Sequence, residues 1–326
     1  MSTGTPERPR HLIADIGGTH ARFALCSSVQ TIEQISIVAT ADYPTLEKAI
    51  RAYLQRCGNP PVKRAVMGIA NPVLGDHMKM TNSPWEFSIE ETRRALGFDY
   101  LHLINDFTAL ALSLPHLAAA ELEQVGSGTS VPHTPLGLLG PGTGLGVSAL
   151  IPGQSGWTPL AGEGGHTSFA PSNELELELW QQAHRAYGHV SMERLVSGSG
   201  LQFIYQALCR LAGATAQDYS PADISRQALA GTCEQCREAL DTFCAILGTA
   251  AGDLAVTLGA RGGIYIGGGI VPQLGGYFAQ SPFRARFEDK GRFSAYLAAI
   301  PVFVITSANP GLLGAAAYVD AFTNEQ

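Results

Sequence analysis

His11-Leu-Ile-Ala-Asp15-Ile-Gly17-Gly18-Thr19 is a short apolar run that ends in an acidic residue, two glycines and a threonine. A second apolar run, residues 21–26, follows at once, and a third spans residues 35–39. Three adjacent strand-like runs joined by tight turns predict a β-meander. The same opening returns in the second half. Residues 136–139 form an apolar run, Gly140-Pro-Gly-Thr-Gly144 follows, and residues 145–151 read as the returning strand. One strand–Gly/Thr–strand hairpin per half predicts a duplicated fold whose second copy carries insertions.

Other segments set strands beside helices. Leu46, Ala49, Ile50, Tyr53 and Leu54 recur at helical spacing behind Thr45, a candidate N-cap. Residues 64–70 read as a strand stopped by Asn71-Pro72, and Ser88-x-x-Glu91 reads as a capping box opening a helix that ends near Gly97. Residues 101–104 read as a strand running into Asn105-Asp106, then a helix over residues 108–114 ended by Pro115. Residues 175–258 read as mainly helical. One amphipathic set takes in Leu195, Leu201, Ile204, Tyr205, Leu208 and Leu211; another takes in Leu240, Phe243, Cys244, Leu247 and Ala251. Residues 263–266 and 301–305 read as strands, and residues 312–318 open a last helix. Strands alternating with helices define an α/β class.

Composition narrows the function. The chain has 326 residues, 45% of them hydrophobic and 15% charged, which excludes intrinsic disorder. Its net charge is −7 and its longest basic run is the pair Arg93-Arg94, so phosphate-rich nucleic acid is a poor partner. The first ten residues are polar and lack the apolar core of a signal peptide. The most apolar long stretch, residues 244–260, is broken by Asp253 and by glycines, so no membrane partner is expected and a cytoplasmic enzyme is. Of six cysteines only Cys233 and Cys236 have metal or redox spacing, and a structural thiol pair is the expectation there.

Five constellations carry chemistry, and each has an ordinary structural explanation beside the functional one. In Asp15-x-Gly17-Gly18-Thr19, glycines let backbone approach a polyanion, the Thr hydroxyl can donate to phosphate, and Asp15 can hold Mg²⁺ directly or through water; a tight hairpin also favours Gly-Gly. Gly142, Thr143 and Gly144 make a second turn of that kind, without dinucleotide or P-loop spacing. Asp106 after a strand can take a proton from a hydroxyl while Asn105 orients it; both residues also suit an N-cap. Gly162-Glu163-Gly-Gly-His166, with Glu193 downstream, offers acceptors and an imidazole to a polyol, or is a polar loop. Gly267-Gly268-Gly269 lets a flat base and ribose pack on backbone, or gives steric relief to a helix start.

Their order is specific where the pieces are not. With Met80-Thr-Asn82-x-x-Trp85, Ile104-Asn-Asp106-Phe-Thr-Ala109, Glu193-Arg-Leu-Val-Ser-Gly198, Phe287-Glu-Asp-Lys-Gly-Arg-Phe293 and Asn309-Pro-Gly-Leu-Leu-Gly314, the chain resembles the bacterial-type ATP-dependent glucokinases from residue 11 to the last helix. These belong to the sugar kinase, Hsp70 and actin superfamily. The resemblance implies duplicated ribonuclease H-like (actin-type ATPase) domains around a cleft. Residues 1–115 with 308–326 would form a small domain, and residues 116–307 a large one with a helical insertion. It implies transfer of the ATP γ-phosphoryl group to the 6-hydroxyl of glucose with Mg²⁺. Asp106 matches the family's general base, and Asn105, Glu163, His166 and Glu193 match its sugar ligands. Gly17, Gly18, Thr19 and Thr143 match the phosphate loops, Gly267, Gly268 and Gly269 the adenosine loop, and Asp15 the position near Mg²⁺. His20 stands where the family commonly has Asn. The family is often dimeric, so a homodimer is implied. Other hexoses, mannose or an N-acetylhexosamine, remain open as substrates. A sugar-responsive repressor and a chaperone-like ATPase fit less well, lacking respectively a DNA-binding segment and a reason for the Glu-x-x-His loop.

Overall fold

The duplication is visible in the order of strands. The computed structural model describes residues 10–80, 83–154 and 156–322. In the first half β1 (His11–Ile16), β2 (His20–Ser28) and β3 (Thr31–Ala39) form the meander, followed by α1 (Leu46–Arg56) and β4 (Arg64–Ile69). A small β5 (His77–Lys79) and β6 (Glu86–Ser88) hairpin precedes α2 (Ile89–Leu96), β7 (Tyr100–Asn105) and α3 (Asp106–Ser113). The second half contains β8 (Leu122–Val125), β9 (Leu136–Pro141), β10 (Leu145–Gly153) and β11 (Gly156–Ala161). Four helices then run in succession: α4 (Glu174–Tyr187), α5 (Gly198–Leu211), α6 (Pro221–Ala230) and α7 (Glu234–Leu258). The chain closes with β12 (Gly263–Ile266), α8 (Gly276–Gln280), α9 (Phe283–Glu288), α10 (Ser294–Ala298), β13 (Val302–Ile305) and α11 (Pro310–Phe322).

One sheet runs β3-β2-β1-β4-β7 and the other β11-β10-β9-β12-β13-β8. Strand for strand, β3, β2, β1, β4 and β7 correspond to β11, β10, β9, β12 and β13. The directions correspond too. β1 is antiparallel to β2 and parallel to β4, while β9 is antiparallel to β10 and parallel to β12. The second copy adds β8 at its edge and α4–α7 between β11 and β12.

Two compact units result. One takes in the chain up to Ala118, the β11 segment ending at Ala161 and the stretch from Ser307 onward; the other takes in the rest. Leu12, Ala14, Phe23, Ile50, Tyr53, Met67 and Trp85 are buried in the core of the first. The buried Leu, Ile, Phe and Met side chains among these each contribute about 1.5–3 kcal/mol of burial free energy. In the second, the core gathers around α7, whose residues Leu240, Phe243, Cys244, Leu247 and Ala251 are fully buried. At 25 residues α7 is long and apolar enough to cross a membrane, but 72% of its most apolar window is buried within the protein.

Several local readings change. Leu195 precedes α5 instead of lying in it, and Leu211 is half exposed at its end. The helix after Asn105 begins at Asp106, two residues early. Ser88 accepts a hydrogen bond from the Glu91 N–H as that pattern predicts, and Asp76 adds to the cap, accepting from the Ser88 hydroxyl and the Glu90 N–H. Cys233 is the N-cap of α7, its sulfur accepting from the Cys236 N–H at 3.3 Å, which gives the Cys-x-x-Cys pair a structural explanation. Thr81 and Asn82 of the Met80–Trp85 motif lie outside the described residues. Trp85 itself is buried and donates its indole N–H to the Tyr43 carbonyl at 2.9 Å.

Candidate active site

Register places the first group of candidates on one edge of the first sheet. Ile16, Ile69 and Asn105 stand level across β1, β4 and β7, which run parallel. Beyond this row β1 enters the Gly17-Gly18-Thr19 turn and β7 enters Asp106. Two strand spacings of ~4.8 Å separate β1 from β7, so the turn and Asp106 are roughly 10 Å apart along the edge. The carboxyl ends of parallel strands are where open α/β sheets bind ligands.

Local bonds fix both ends of that row. Gly17 donates its N–H to the His20 carbonyl at 2.9 Å. Thr40 clasps the turn from behind, its hydroxyl donating to the Gly18 carbonyl at 2.7 Å and its N–H to the Thr19 carbonyl at 3.0 Å. Asn105 is the N-cap of α3, and its side-chain oxygen accepts from the N–H groups of Phe107 and Thr108 at 2.9 and 3.2 Å. Asp106 is the first helical residue, and one carboxylate oxygen accepts from the Phe107 N–H at 2.9 Å.

Asp15 lies under the start of α11. A Cβ added at Gly311 would stand 2.8 Å from the Asp15 Cγ, so only glycine lets the helix begin this close. A helix N-terminus favours a carboxylate. Arg22 donates to Asp15 Oδ2 at 3.3 Å. Burial pushes the Asp15 carboxyl above its ordinary pKa, and Arg22 opposes that shift without cancelling it.

α3 is held between two glycines. A Cβ at Gly68 on β4 would lie 3.1 Å from the Ala109 Cβ, and one at Gly314 on α11 would fall onto the Ala109 carbonyl. Ala109 is one turn beyond Asp106, so these contacts set where Asp106 stands.

The second group lies in the second unit. Leu139 and Ile266 are level across β9 and β12, so the Gly142–Gly144 turn and Gly267–Gly269 leave the same edge of that sheet. Gly142 donates its N–H to the Gly144 carbonyl, and its own carbonyl accepts from the Gly198 N–H, both at 2.8 Å. Gly267 donates to the Leu139 carbonyl at 2.8 Å. Gly268 has φ +78°, and a Cβ there would lie 2.9 Å from the carbonyl carbons of Gly140 and Pro141. Glycine is required at this position twice over, by dihedral and by approach. Beside these loops is a cavity of about 470 Å³ lined by Gly142, Thr143, Ser199, Pro221, Ser225 and Gln273, among others.

Glu163, His166 and Glu193 come together on two adjoining short turns. Gly164–His166 is a 3₁₀ turn whose His166 N–H bonds the Glu163 carbonyl at 3.0 Å. Met192–Arg194 is another, tied to the first by the Met192 N–H to Thr167 carbonyl bond at 2.8 Å. Glu163 and His166 are exposed, whereas Glu193 is half-buried. The glycines of this loop serve packing: Cβ atoms at Gly164 and Gly165 would strike Val147 and the Leu145 carbonyl of β10.

The sequence candidates thus form one group per unit, each at the carboxyl ends of the parallel strands of its mixed sheet. The family model for glucokinase matches residues 12–322 of this chain. The chain belongs to the glucokinase family. A glucokinase of Chromobacterium violaceum is 60% identical over 319 residues, which is 98% of this chain and 92% of that protein. The crystal structure of a glucokinase from an Antarctic psychrotroph superposes with a TM-score of 0.88 at 36% identity, covering 96% of this chain and 99% of the other. A glucokinase of the ROK family from Streptomyces griseus, solved with glucose and AMPPNP, shares the fold at a TM-score of 0.64 and 20% identity over 94% of this chain and 98% of that one. This kinase therefore has the actin-like ATPase fold and is an ATP-dependent hexose kinase that phosphorylates glucose.

Three parts of the kinase escaped sequence reasoning. Thr40 carries no motif. Gly311 was visible within Asn309–Gly314, but only the fold shows that it abuts Asp15. Ser199, Pro221, Ser225 and Gln273 line the cavity beside the loops, and helical periodicity gives no hint of that.

Proposed function

We propose that Asp106 is the general base that accepts the proton of the glucose 6-hydroxyl as the γ-phosphoryl group of ATP moves to that oxygen, giving glucose 6-phosphate and ADP. The observation that supports it most is the level row of Ile16, Ile69 and Asn105, which sets a phosphate-type turn and a carboxylate on one edge about 10 Å apart. A phosphate chain and a sugar hydroxymethyl group together span that order of length. Phosphoryl transfer through a loose transition state needs positioning and charge neutralisation more than covalent help, so Asp106 acts late and needs no unusual basicity.

In this reading Asn105, its oxygen committed to the α3 cap, offers its amide N–H₂ to a sugar hydroxyl. Glu163 and Glu193 accept from sugar hydroxyls, and His166 donates or accepts. Gly17, Gly18, Thr19 and Gly142, Thr143, Gly144 receive the phosphates, and Gly267–Gly269 with the neighbouring cavity receives the adenosine. Asp15 fits a Mg²⁺ ion held mainly by water and phosphate oxygens, because such an ion needs only one or two protein carboxylates. Among the described residues no cluster of three or more His, Cys, Asp or Glu side chains offers a fuller cage. When bound, the ion supplies charge neutralisation on the phosphates. The family resemblance also supports a homodimer in the cytoplasm, which sedimentation of the purified chain and cell fractionation would check.

The test is Asp106→Ala with Asp106→Asn. Both should lower kcat by about 10²–10⁴, the usual contribution of a general base, while glucose binding by calorimetry stays measurable. Near-normal kcat in either variant removes the assignment. A hexose panel in a coupled ADP assay separates glucose from mannose and N-acetylhexosamine.

A further inference from the structure

One carboxylate of the sugar group also touches the phosphate-type turn. Glu193 Oε2 accepts the backbone N–H of Leu145 at 2.9 Å, the first residue after Gly142-Thr143-Gly144. A Cβ added at Gly144 would collide with that same oxygen. Five residues on, the Gly198 N–H bonds the Gly142 carbonyl at 2.8 Å. The segment Glu193–Gly198 is therefore fastened to both ends of the turn. Glu163 and His166 show no such bond: the described contacts of their turn run to its own backbone, to Thr167 and to His189.

From this we infer that Glu193 is a positioning residue for the nucleotide as well as a sugar ligand: it holds the Gly142–Gly144 turn in its anion-receiving shape and so links sugar binding to ATP binding. The sugar half of this inference rests on the function proposed above. The chemistry divides between the two carboxylate oxygens. Oε2 is committed to Leu145, and Oε1 is the atom left for a sugar hydroxyl. A hydrogen bond from backbone N–H to a carboxylate is charge-assisted and about twice as strong as a neutral one. When a hydroxyl engages Oε1 it restricts the same side chain that braces the turn, so each ligand lowers the ordering cost of the other. Such coupling is reciprocal.

The experiment compares Glu193→Ala, Glu193→Gln and Glu163→Gln by calorimetry with AMPPNP in the absence of sugar, with thermal melts of each variant. Glu193→Ala should bind AMPPNP about tenfold more weakly than wild type, equal to ~1.4 kcal/mol. Glu193→Gln keeps an acceptor for the Leu145 N–H and should recover most of that loss, while Glu163→Gln should stay within twofold. If Glu193→Ala is too unstable to assay, Gly144→Ala displaces the same carboxylate and should weaken AMPPNP in the same direction. AMPPNP affinity within twofold of wild type, in a folded Glu193→Ala or Gly144→Ala protein, overturns the inference. Glucose titrations without nucleotide test the other reading separately: an unchanged glucose Kd in Glu193→Ala removes Glu193 from the sugar site without touching its role at the turn.

Discussion

Replacing Gly314 by Ala should cripple catalysis from a position that touches no substrate. The added methyl group falls against the Ala109 backbone, 2.5 Å from its carbonyl carbon and 3.2 Å from its Cα. Ordinary carbon contacts are ~3.5–4.0 Å, so α3 and α11 must part by on the order of 1 Å. α3 has little room to retreat on its other side, where even one added Cβ at Gly68 of β4 would stand 3.1 Å from the Ala109 Cβ. Asp106 is three residues before Ala109 and moves with the helix. A misplacement of about 1 Å can lower turnover by ~10²-fold. Overpacking of this kind costs about 1–3 kcal/mol. At ~2–4 °C per kcal/mol, the melting temperature should fall by about 2–12 °C. Steady-state kinetics with glucose and ATP, alongside calorimetric melting, measure both effects. The expected pattern is a large fall in kcat with little change in the KM for ATP. A Gly314→Ala enzyme with wild-type kcat would refute the idea that this helix contact sets the catalytic carboxylate.

Further outcomes follow from other contacts. Asp15→Asn should abolish turnover yet raise the melting temperature at pH 7–8, because burial disfavours the charged form. The folded-state pKa lies above the unfolded one, so wild type gains on the variant as pH falls through the folded value and stops gaining below the unfolded value. Melts of both proteins across pH 4–8 check the sign; a gap that widens towards acid contradicts it. Gly268→Ala forces a left-handed dihedral at ~1–2 kcal/mol and a clash with the Gly140–Pro141 backbone, so the KM for ATP should rise at least several-fold while glucose affinity holds. Arg286→Ala leaves the fully buried Glu176 without its bidentate partner at 2.6 and 3.3 Å, and the loss should be about 3–5 kcal/mol by denaturant titration.

The fold was legible wherever a glycine turn joined two apolar runs, since no helix tolerates that pattern. Both hairpins and β12 stand where residues 11–26, 136–151 and 263–266 predict them. Short elements left no periodic trace. β8, with two exposed residues of four, and α8–α10, each five or six residues long, are held by tertiary packing and not by local preference. In the site, side-chain chemistry pointed to Asp106, Glu163, His166 and Glu193, but spacing could not show what touches what. The Gly162–His166 loop was read through its Glu and His side chains; Gly164 and Gly165 prove to seat it on β10. Asn105 read first as a cap and then as a sugar ligand, and its side-chain oxygen does cap α3.

The first unit is discontinuous, and its final helix has consequences for synthesis. α11 packs on β1, β2, β4 and α3, yet it is made after all of them. On the ribosome the uninterrupted segment from Gly162 to Thr306 can settle before the earlier-made strands acquire their covering helix. Until then Asp15 lacks the neighbour at Gly311, and α3 lacks its brace. Chains stopped before α11 should therefore be inactive as kinases. A stop codon placed just before Pro310 should be as damaging as one far upstream.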